Sequence, residues 1–236
     1  MNSLRILAIV PAYNEAEIIA NTVKEIQDKA PGVDVLVVND GSSDCTMDVL
    51  RDMEINCLNL RRNLGIGGAV QSGYIYAKEN GYDYTVQMDG DGQHDPSYIL
   101  PIIKMMEEEG QEYVIGSRFI EKRGFQSSKA RRVGIRFLSM LIRMISGADI
   151  KDVTSGYRVA NRRFIDIFAK DYADDYPEPD AILTVASHHG IMAEYPVVMK
   201  ERLTGISSIG PGEAVYYMTK VSLSILMHRL MRSGGR

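Results

Sequence analysis

The sequence predicts an α/β protein: a mostly parallel sheet flanked by helices, with a helical extension at its C-terminal end. Two observations carry that expectation. Short, apolar runs such as "RILAIVPAY" (5–13) and the "VLVV" within "VDVLVVND" (33–40) lack polar alternation, as strands buried on both faces require. Segments with apolar residues at helical spacing stand between them, and strand and helix alternate four times within about a hundred residues.

The elements follow in order. The first strand ends near Pro11, and "NEAEIIANTVKEIQDKA" then places Ile18, Ile19, Val23 and Ile26 on one helical face. After the second strand the turn "DGSSD" offers Ser43 or Asp44 as the cap of a helix running through "MDVLRDM". "INCLNL" reads as a third strand, "GGAVQSGYIYAKENG" as a third helix and "DYTVQMD" as a fourth strand. The second half is less regular. "EYVIGSRF" is a fifth strand, 129–147 a basic and apolar segment, and "DYPEPDAILTVASHHG" opens a helix around Pro179. "MAEYPVVMKER" is another strand and "GEAVYYMTKVSLSILMHRLMR" a last long helix. With no linker, repeat or low-complexity stretch, the reading is one domain over 1–210 and an amphipathic helix over 211–236.

Bulk properties exclude several classes. A chain of 236 residues, 45% hydrophobic, buries one good core. A net charge of −4 argues against a nucleic-acid binder. Cys45 and Cys57 are too few for a disulfide framework and have no metal-ligand spacing, which suits a reducing cytoplasm. No run reaches the ~18 apolar residues of a spanning helix, and the N-terminus does not read as a secretion signal. The expected location is cytoplasmic, with peripheral attachment to the inner face of the cell membrane at most.

In parallel sheets ligands bind beyond the carboxyl ends of the strands. Four polar clusters end the first four strands: Pro11–Glu15, Asn39–Gly41, Arg61–Asn63 and Asp89–Asp91. They should line one crevice. In "VQMDGDGQHDP" (86–96), Asp89 and Asp91 sit on a tight turn and are the candidate metal ligands; few hard oxygen ligands suit Mg²⁺ or Mn²⁺ with substrate phosphates completing the shell. The bland alternative is an acidic turn after a strand. An EF-hand fails for want of the later bidentate Glu. Asp95 caps the following helix, and His94 packs behind the loop rather than serving as a ligand. Asp40 is placed to accept from a nucleobase or ribose, or else is an ordinary Asp-Gly turn. "GIGG" (65–68) is not a dinucleotide fingerprint: the third glycine would fall on Val70, and the acidic residue precedes the loop. Gly67 and Gly68 then serve close packing or a substrate's approach.

"VPAYNEA", "VVNDGSSD", "RRNLGIGGAVQSG", "QMDGDGQHDP", "GSRF" and "DVTSGYR" occur in this order. Together they resemble family 2 glycosyltransferases of the GT-A fold, with its Rossmann-like sheet. Within that family the chain is similar to the dolichyl- or polyprenyl-phosphate mannosyltransferase-like branch and to bacterial polysaccharide glycosyltransferases. The resemblance implies a nucleotide-diphosphate sugar donor and an inverting, metal-dependent transfer. It implies that Pro11, Ala12, Tyr13 and Glu15 form a nucleotide-binding loop and that Asp40 reads the base. It implies that Asp89 and Asp91 hold the diphosphate through Mg²⁺ or Mn²⁺. Gly67, Gln93 and Arg118 are counted with the nucleotide-sugar positions. Tyr157 and Arg158 match positions near donor and acceptor, and Arg202 and Ser207 match a loop that closes over the phosphates. Catalytic work is expected of Asp91, Arg158 and Asp180.

The acceptor divides the readings. A sugar hydroxyl needs a carboxylate base, for which Asp180 in "YPEPDAIL" competes with Glu178; the alternative is a helix start stabilised by its dipole. A lipid phosphate is already anionic and needs no base. The first reading is transfer to a hydroxyl of a lipid-linked glycan in cell-envelope polysaccharide synthesis. The second is a polyprenyl-phosphate glycosyltransferase, and the third a non-catalytic nucleotide-sugar-binding partner subunit. Basic amphipathic stretches at 129–147 and in the last helix would lie on an anionic membrane surface, or pack on the core or on a second subunit as a homodimer.

Overall fold

The computed structural model describes residues 4–126, 128–200 and 220–223. Among these, seven strands form one sheet: β1 (Ile6–Ala12), β2 (Val33–Asn39), β3 (Cys57–Asn59), β4 (Tyr84–Gln87), β5 (Tyr113–Ser117), β6 (Arg158–Asn161) and β7 (Met192–Pro196). The order across the sheet is β3-β2-β1-β4-β6-β5-β7. β1 to β4 pair in parallel, β6 runs antiparallel to both β4 and β5, and β7 is parallel to β5. The mostly parallel α/β expectation holds.

Every residue of β1 is buried, which is why its run carries no polar alternation. Its side chains divide by the period of two. Leu7 and Ile9 enter one core layer with Ala69, Val70 and Tyr74 of α3 (Gly65–Glu79), Phe164 and Phe168 of α6 (Arg162–Phe168), and α5 (Lys129–Ser146) and α7 (Pro177–Ser187). Ile6, Ala8, Val10 and Ala12 enter the other with α1 (Ile19–Lys29), α2 (Thr46–Asp52) and α4 (Ile99–Glu109). Gly73 of α3 lies so close to β1 that a Cβ there would stand 2.4 Å from Ile9 Cγ2.

Several boundaries differ from the expectation. β6 was not anticipated: it has four residues, begins on an arginine, and its partners are distant in sequence. α6 follows it after a cap in which Asn161 Oδ1 accepts from the Phe164 N–H at 3.2 Å. α7 begins at Pro177 rather than Pro179, with Tyr176 in the left-handed region ahead of it. The second helix is capped by neither Ser43 nor Asp44 in the usual position; its cap residue is Cys45, while Asp44 Oδ1 accepts from the Thr46 N–H at 3.0 Å. The C-terminal helix expected over 211–236 lies outside the described residues except for 220–223, which are helical and bury Val221 in the core. No helix among the described residues is long and apolar enough to cross a membrane.

Candidate functional site

Pairing in register brings the chain ends that matter to one edge. Ala12 lies beside Asn39, and Asn39 beside Asn59. Gln87, the last residue of β4, faces Arg158, the first of β6, because those strands are antiparallel. Ser117 ends β5 beside Pro196 of β7. The carboxyl ends of six strands and the amino end of β6 therefore form one rim. The four clusters expected to converge do converge there.

The first two loops are stitched together. Asn14 takes a left-handed conformation (φ 56°), and its Oδ1 accepts from the Ser43 N–H at 2.8 Å while its own N–H donates to Ser42 Oγ at 2.9 Å. The Glu15 N–H donates to Thr46 Oγ1 at 2.9 Å. A non-glycine residue in that region at the rim is held there by its surroundings, a common state at binding sites. The sequence places Asn14 in the first polar cluster without a role of its own, although its preference for this conformation is a usable signal. Tyr13 projects exposed from this loop, while Pro11 and Ala12 are buried. Asp40 is also buried and accepts from the Leu64 N–H at 2.7 Å, tying the end of β2 to the entry of α3. Gly67 is a packing position: its N–H donates to Asp174 O at 3.2 Å, and a Cβ would meet Ala173 O at 2.0 Å.

Asp89 and Asp91 follow β4. Asp91 is buried, and its Oδ1 accepts from the Gln93 N–H at 3.0 Å. The Asp89 side chain is part-exposed, and two neighbours shape its place. His94, buried and stacked on Tyr157 at 5.2 Å, accepts the Asp89 N–H on Nδ1 at 3.1 Å. That bond assigns the proton to Nε2, which lies 3.7 Å from Asp89 Oδ2. On the other side stands Gly156, where a Cβ would lie 2.8 Å from Asp89 Oδ1 and 2.9 Å from Oδ2. Gly156 was quoted within a motif without a role; only the fold shows that its missing side chain is the room for a carboxylate.

Gln93 turns away from the carboxylates. Its Nε2 donates to Lys200 O at 3.2 Å, and its own carbonyl accepts from the Lys200 N–H at 2.9 Å. Lys200 Nζ in turn bonds Glu25. Lys29 joins Glu25 at 2.7 Å and Asp95 at 3.1 Å. Asp95 caps the 3-10 turn Pro96–Tyr98 through the Ser97 N–H, as expected of it. Burial acts to raise the Glu25 and Asp95 carboxyls, but hydrogen bonds from these lysines and, at Asp95, from Ser97 outweigh it and hold both below the usual range.

The two arginines are placed differently from guanidinium groups open to a leaving group. Arg158 is fully buried and donates to Ser155 O (2.7 Å), Val153 O (3.0 Å) and the Tyr113 hydroxyl (2.9 Å). It supports the 153–157 turn from beneath, and with it Gly156. Arg118 makes a two-pronged pair with buried Asp152 (2.7 and 2.6 Å) and donates to Thr154 Oγ1 at 3.2 Å. Glu194 of β7 accepts the Asp152 N–H at 2.9 Å.

Asp180 and Glu178 both lie in the first turn of α7, each only partly exposed. Burial pushes the Glu178 carboxyl above its ordinary value against the pull of Arg158, and the Asp89 charge adds to the rise. Arg202 and Ser207 lie outside the described residues. Among those described, no three or more His, Cys, Asp or Glu side chains gather as a metal cage. Two carboxylates at a rim, one with cleared space beside it, instead fit a divalent ion whose shell is completed by phosphate oxygens.

The model of "Glycosyl transferase family 2" matches residues 7–168. The chain belongs to this family. This family 2 glycosyltransferase is 31% identical over 233 residues to the undecaprenyl-phosphate mannosyltransferase of Micrococcus luteus, covering 94% of this chain and 95% of that one. It is 28% identical over 212 residues to the UDP-N-acetylglucosamine–dolichyl-phosphate N-acetylglucosaminyltransferase of Methanococcus voltae, covering 81% and 84%. Its fold matches glucosyl-3-phosphoglycerate synthase from Mycobacterium tuberculosis, solved with Mn²⁺, UDP and glucosyl-3-phosphoglycerate (TM-score 0.72, 17% identity, 96% of this chain and 80% of that chain). The fold is thus that of the GT-A glycosyltransferases, and the enzyme is a glycosyltransferase.

Proposed function

We propose that this glycosyltransferase moves a sugar from a nucleoside-diphosphate donor to a polyprenyl phosphate. The observation that carries the donor half is the rim itself, with Asp89 and Asp91 at the end of β4, facing the loops of β1 and β2. The acceptor half rests on relatives matched over most of the chain, which are named for two different sugars but for polyprenyl-type phosphates in both cases. The shared feature is the acceptor, so the sugar stays open. This reverses the order of the two enzymatic readings drawn from the sequence.

In the reaction an acceptor phosphate oxygen attacks C1 of the sugar and the bond from C1 to the diphosphate breaks. The electron pair leaves with the nucleoside diphosphate, inverting the anomeric centre. The attacking oxygen is already anionic and no proton need be moved. Asp89 and Asp91 would hold a Mg²⁺ or Mn²⁺ ion, which would supply charge neutralisation for the departing diphosphate. The protein's part is to fix Asp89 through His94 and Gly156 and Asp91 through the Gln93 N–H, and to keep the 153–157 turn in place through Arg158. Groups set before the reaction on charge that develops in the transition state are worth most.

One observation favours the second reading, transfer to a hydroxyl of a lipid-linked glycan. Glu178 and Asp180 stand in the first turn of α7, and the raised Glu178 carboxyl would be a competent base. The test is transfer of labelled sugar from GDP-mannose, UDP-glucose and UDP-N-acetylglucosamine to a short-chain polyprenyl phosphate, with Mn²⁺ or EDTA. Glu178→Gln and Asp180→Asn should retain most activity on the phosphate acceptor. Loss of transfer in either variant, with a phosphate acceptor and a native fold, would move the assignment to the hydroxyl reading. Absence of transfer from any donor, with intact nucleotide binding, would favour the non-catalytic partner.

A further inference from the structure

We propose that Gln87 is a positioning residue for the transfer reaction, fixed beneath Asp89 by Tyr172 and by an internal water shared with Tyr74 and Thr85. That role rests on the proposal that Asp89 holds a divalent ion. The antiparallel ladder of β4 and β6 ends on the pair Gln87 and Arg158. Two residues beyond that rung on one strand stands Asp89, and two before it on the other stands Gly156. These two crowd each other at the rim, a Cβ on Gly156 falling 2.8 Å from Asp89 Oδ1. Whatever fixes the last rung therefore sets their spacing.

Register decides which way the rung faces. Thr85 and Gln87 pair with Leu7 and Ile9 of β1, whose side chains enter the layer covered by Tyr74 of α3. On the other flank Arg158 and Ala160 pair with Ile115 and Tyr113 of β5. A polar row thus crosses an apolar layer. Arg158 is satisfied by the Tyr113 hydroxyl and the two carbonyls it grips. Gln87 is not. Its Oε1 accepts from the Tyr172 hydroxyl at 3.3 Å, while its Nε2 is buried without a hydrogen-bond partner among the described residues. Turning the amide over would only move the deficit to the oxygen.

Two more buried groups share that condition, the hydroxyls of Tyr74 and Thr85. Thr85 lies two residues before Gln87 on the same face of β4. The Tyr74 ring lies 5.4 Å from that of Tyr172, the residue that holds Gln87. Burial pushes the Tyr74 hydroxyl well above its ordinary value, so it stays neutral and able to donate. Unpaired polar atoms are costly in an apolar layer. An amide donor and two hydroxyls, each able to donate or accept, make the three-bonded setting in which buried water is found. A cation would meet no anionic ligand among these three groups and would face Arg158. An apolar occupant would leave all three unpaired.

A high-resolution crystal structure of the full chain should show a water within hydrogen-bond reach of Gln87 Nε2, Tyr74 Oη and Thr85 Oγ1. Direct bonds among the three, or a dry gap, would overturn the shared water. Thr85→Val supplies a test of sign. It should lower the melting temperature if the hydroxyl is bonded to water, and a rise would show that the hydroxyl is left unpaired. Gln87→Met keeps the length of the side chain and removes the amide. Its crystal structure should show Asp89 displaced from Gly156, with the half-maximal Mn²⁺ concentration raised, kcat lowered about tenfold and KM for the acceptor unchanged. Tyr172→Phe should act in the same direction, and the double variant should lose little more than Gln87→Met alone, because both act on one clamp. A lowered melting temperature with kcat and the Mn²⁺ response unmoved would make Gln87 a stabilising residue only and overturn the positioning role. Should the wild-type protein transfer no sugar, the functional reading fails by itself, and the two crystal structures still decide whether Gln87 places Asp89.

Discussion

Replacing Gly156 by alanine isolates the space beside Asp89. Gly156 has an ordinary φ, so alanine meets no backbone penalty there and only its methyl group matters. That carbon would sit 2.8 and 2.9 Å from the two carboxylate oxygens, where a comfortable C···O contact is about 3.3 Å or more. The carboxylate, part-exposed and able to turn, must retreat by roughly half an ångström. A misplacement of about 1 Å at a reacting centre costs on the order of 100-fold in rate, so about tenfold in kcat is expected here, more if Asp89 also leaves His94. Stability should change by less than about 1 kcal/mol, because the carboxylate rather than the core gives way and alanine restricts the unfolded chain. The assay is sugar transfer across a Mn²⁺ titration, with thermal melting alongside. A half-maximal metal concentration shifted upward with the melting point unmoved is the expected result. Wild-type turnover and metal dependence in a natively folded variant would refute the argument that this glycine exists to seat Asp89.

Asp91→Asn keeps the volume and an oxygen acceptor for the Gln93 N–H, so the loop should hold while most of the transfer activity and the Mn²⁺-dependent nucleotide affinity are lost; calorimetry with UDP and GDP, with and without EDTA, reads both. Asp152→Ala strands the buried Arg118 and should cost about 3–5 kcal/mol in denaturant unfolding, the scale for breaking a buried pair by removing one partner. The lowered carboxyls of Glu25 and Asp95 give stability that is full above the ordinary carboxylate range and drains as pH falls through their folded values; raised Lys29 contributes below the lysine range and is lost as pH rises through its folded value. Lys29→Met should therefore flatten the acid limb of melting temperature against pH, and an unaltered limb would show that the cluster contributes nothing. His94→Phe preserves the stack on Tyr157 but removes the nitrogen that accepts from Asp89, and should lower kcat severalfold with KM for the acceptor unchanged.

Much of this protein was legible in one dimension. A strand buried on both faces is written as an apolar run, so β1 and the Val35–Val38 stretch of β2 announce themselves, and parallel pairing then gathers the carboxyl ends of β1 to β4 at one rim. Asp89 and Asp91 could be found that way, as could the role of Asp95 as a cap, because these depend on near neighbours in the chain. β6 could not, since a four-residue strand opening on Arg158 exists only because β4 and β5 flank it. Nor could the burial of Arg158 and Arg118, whose partners Tyr113 and Asp152 are remote in sequence and turn two apparent anion binders into supports. Gly156 beside Asp89 and Gln93 on Lys200 belong to the same class. Local pattern fixes what a segment needs to bury or bond. Which distant segment meets that need is decided when the layers close.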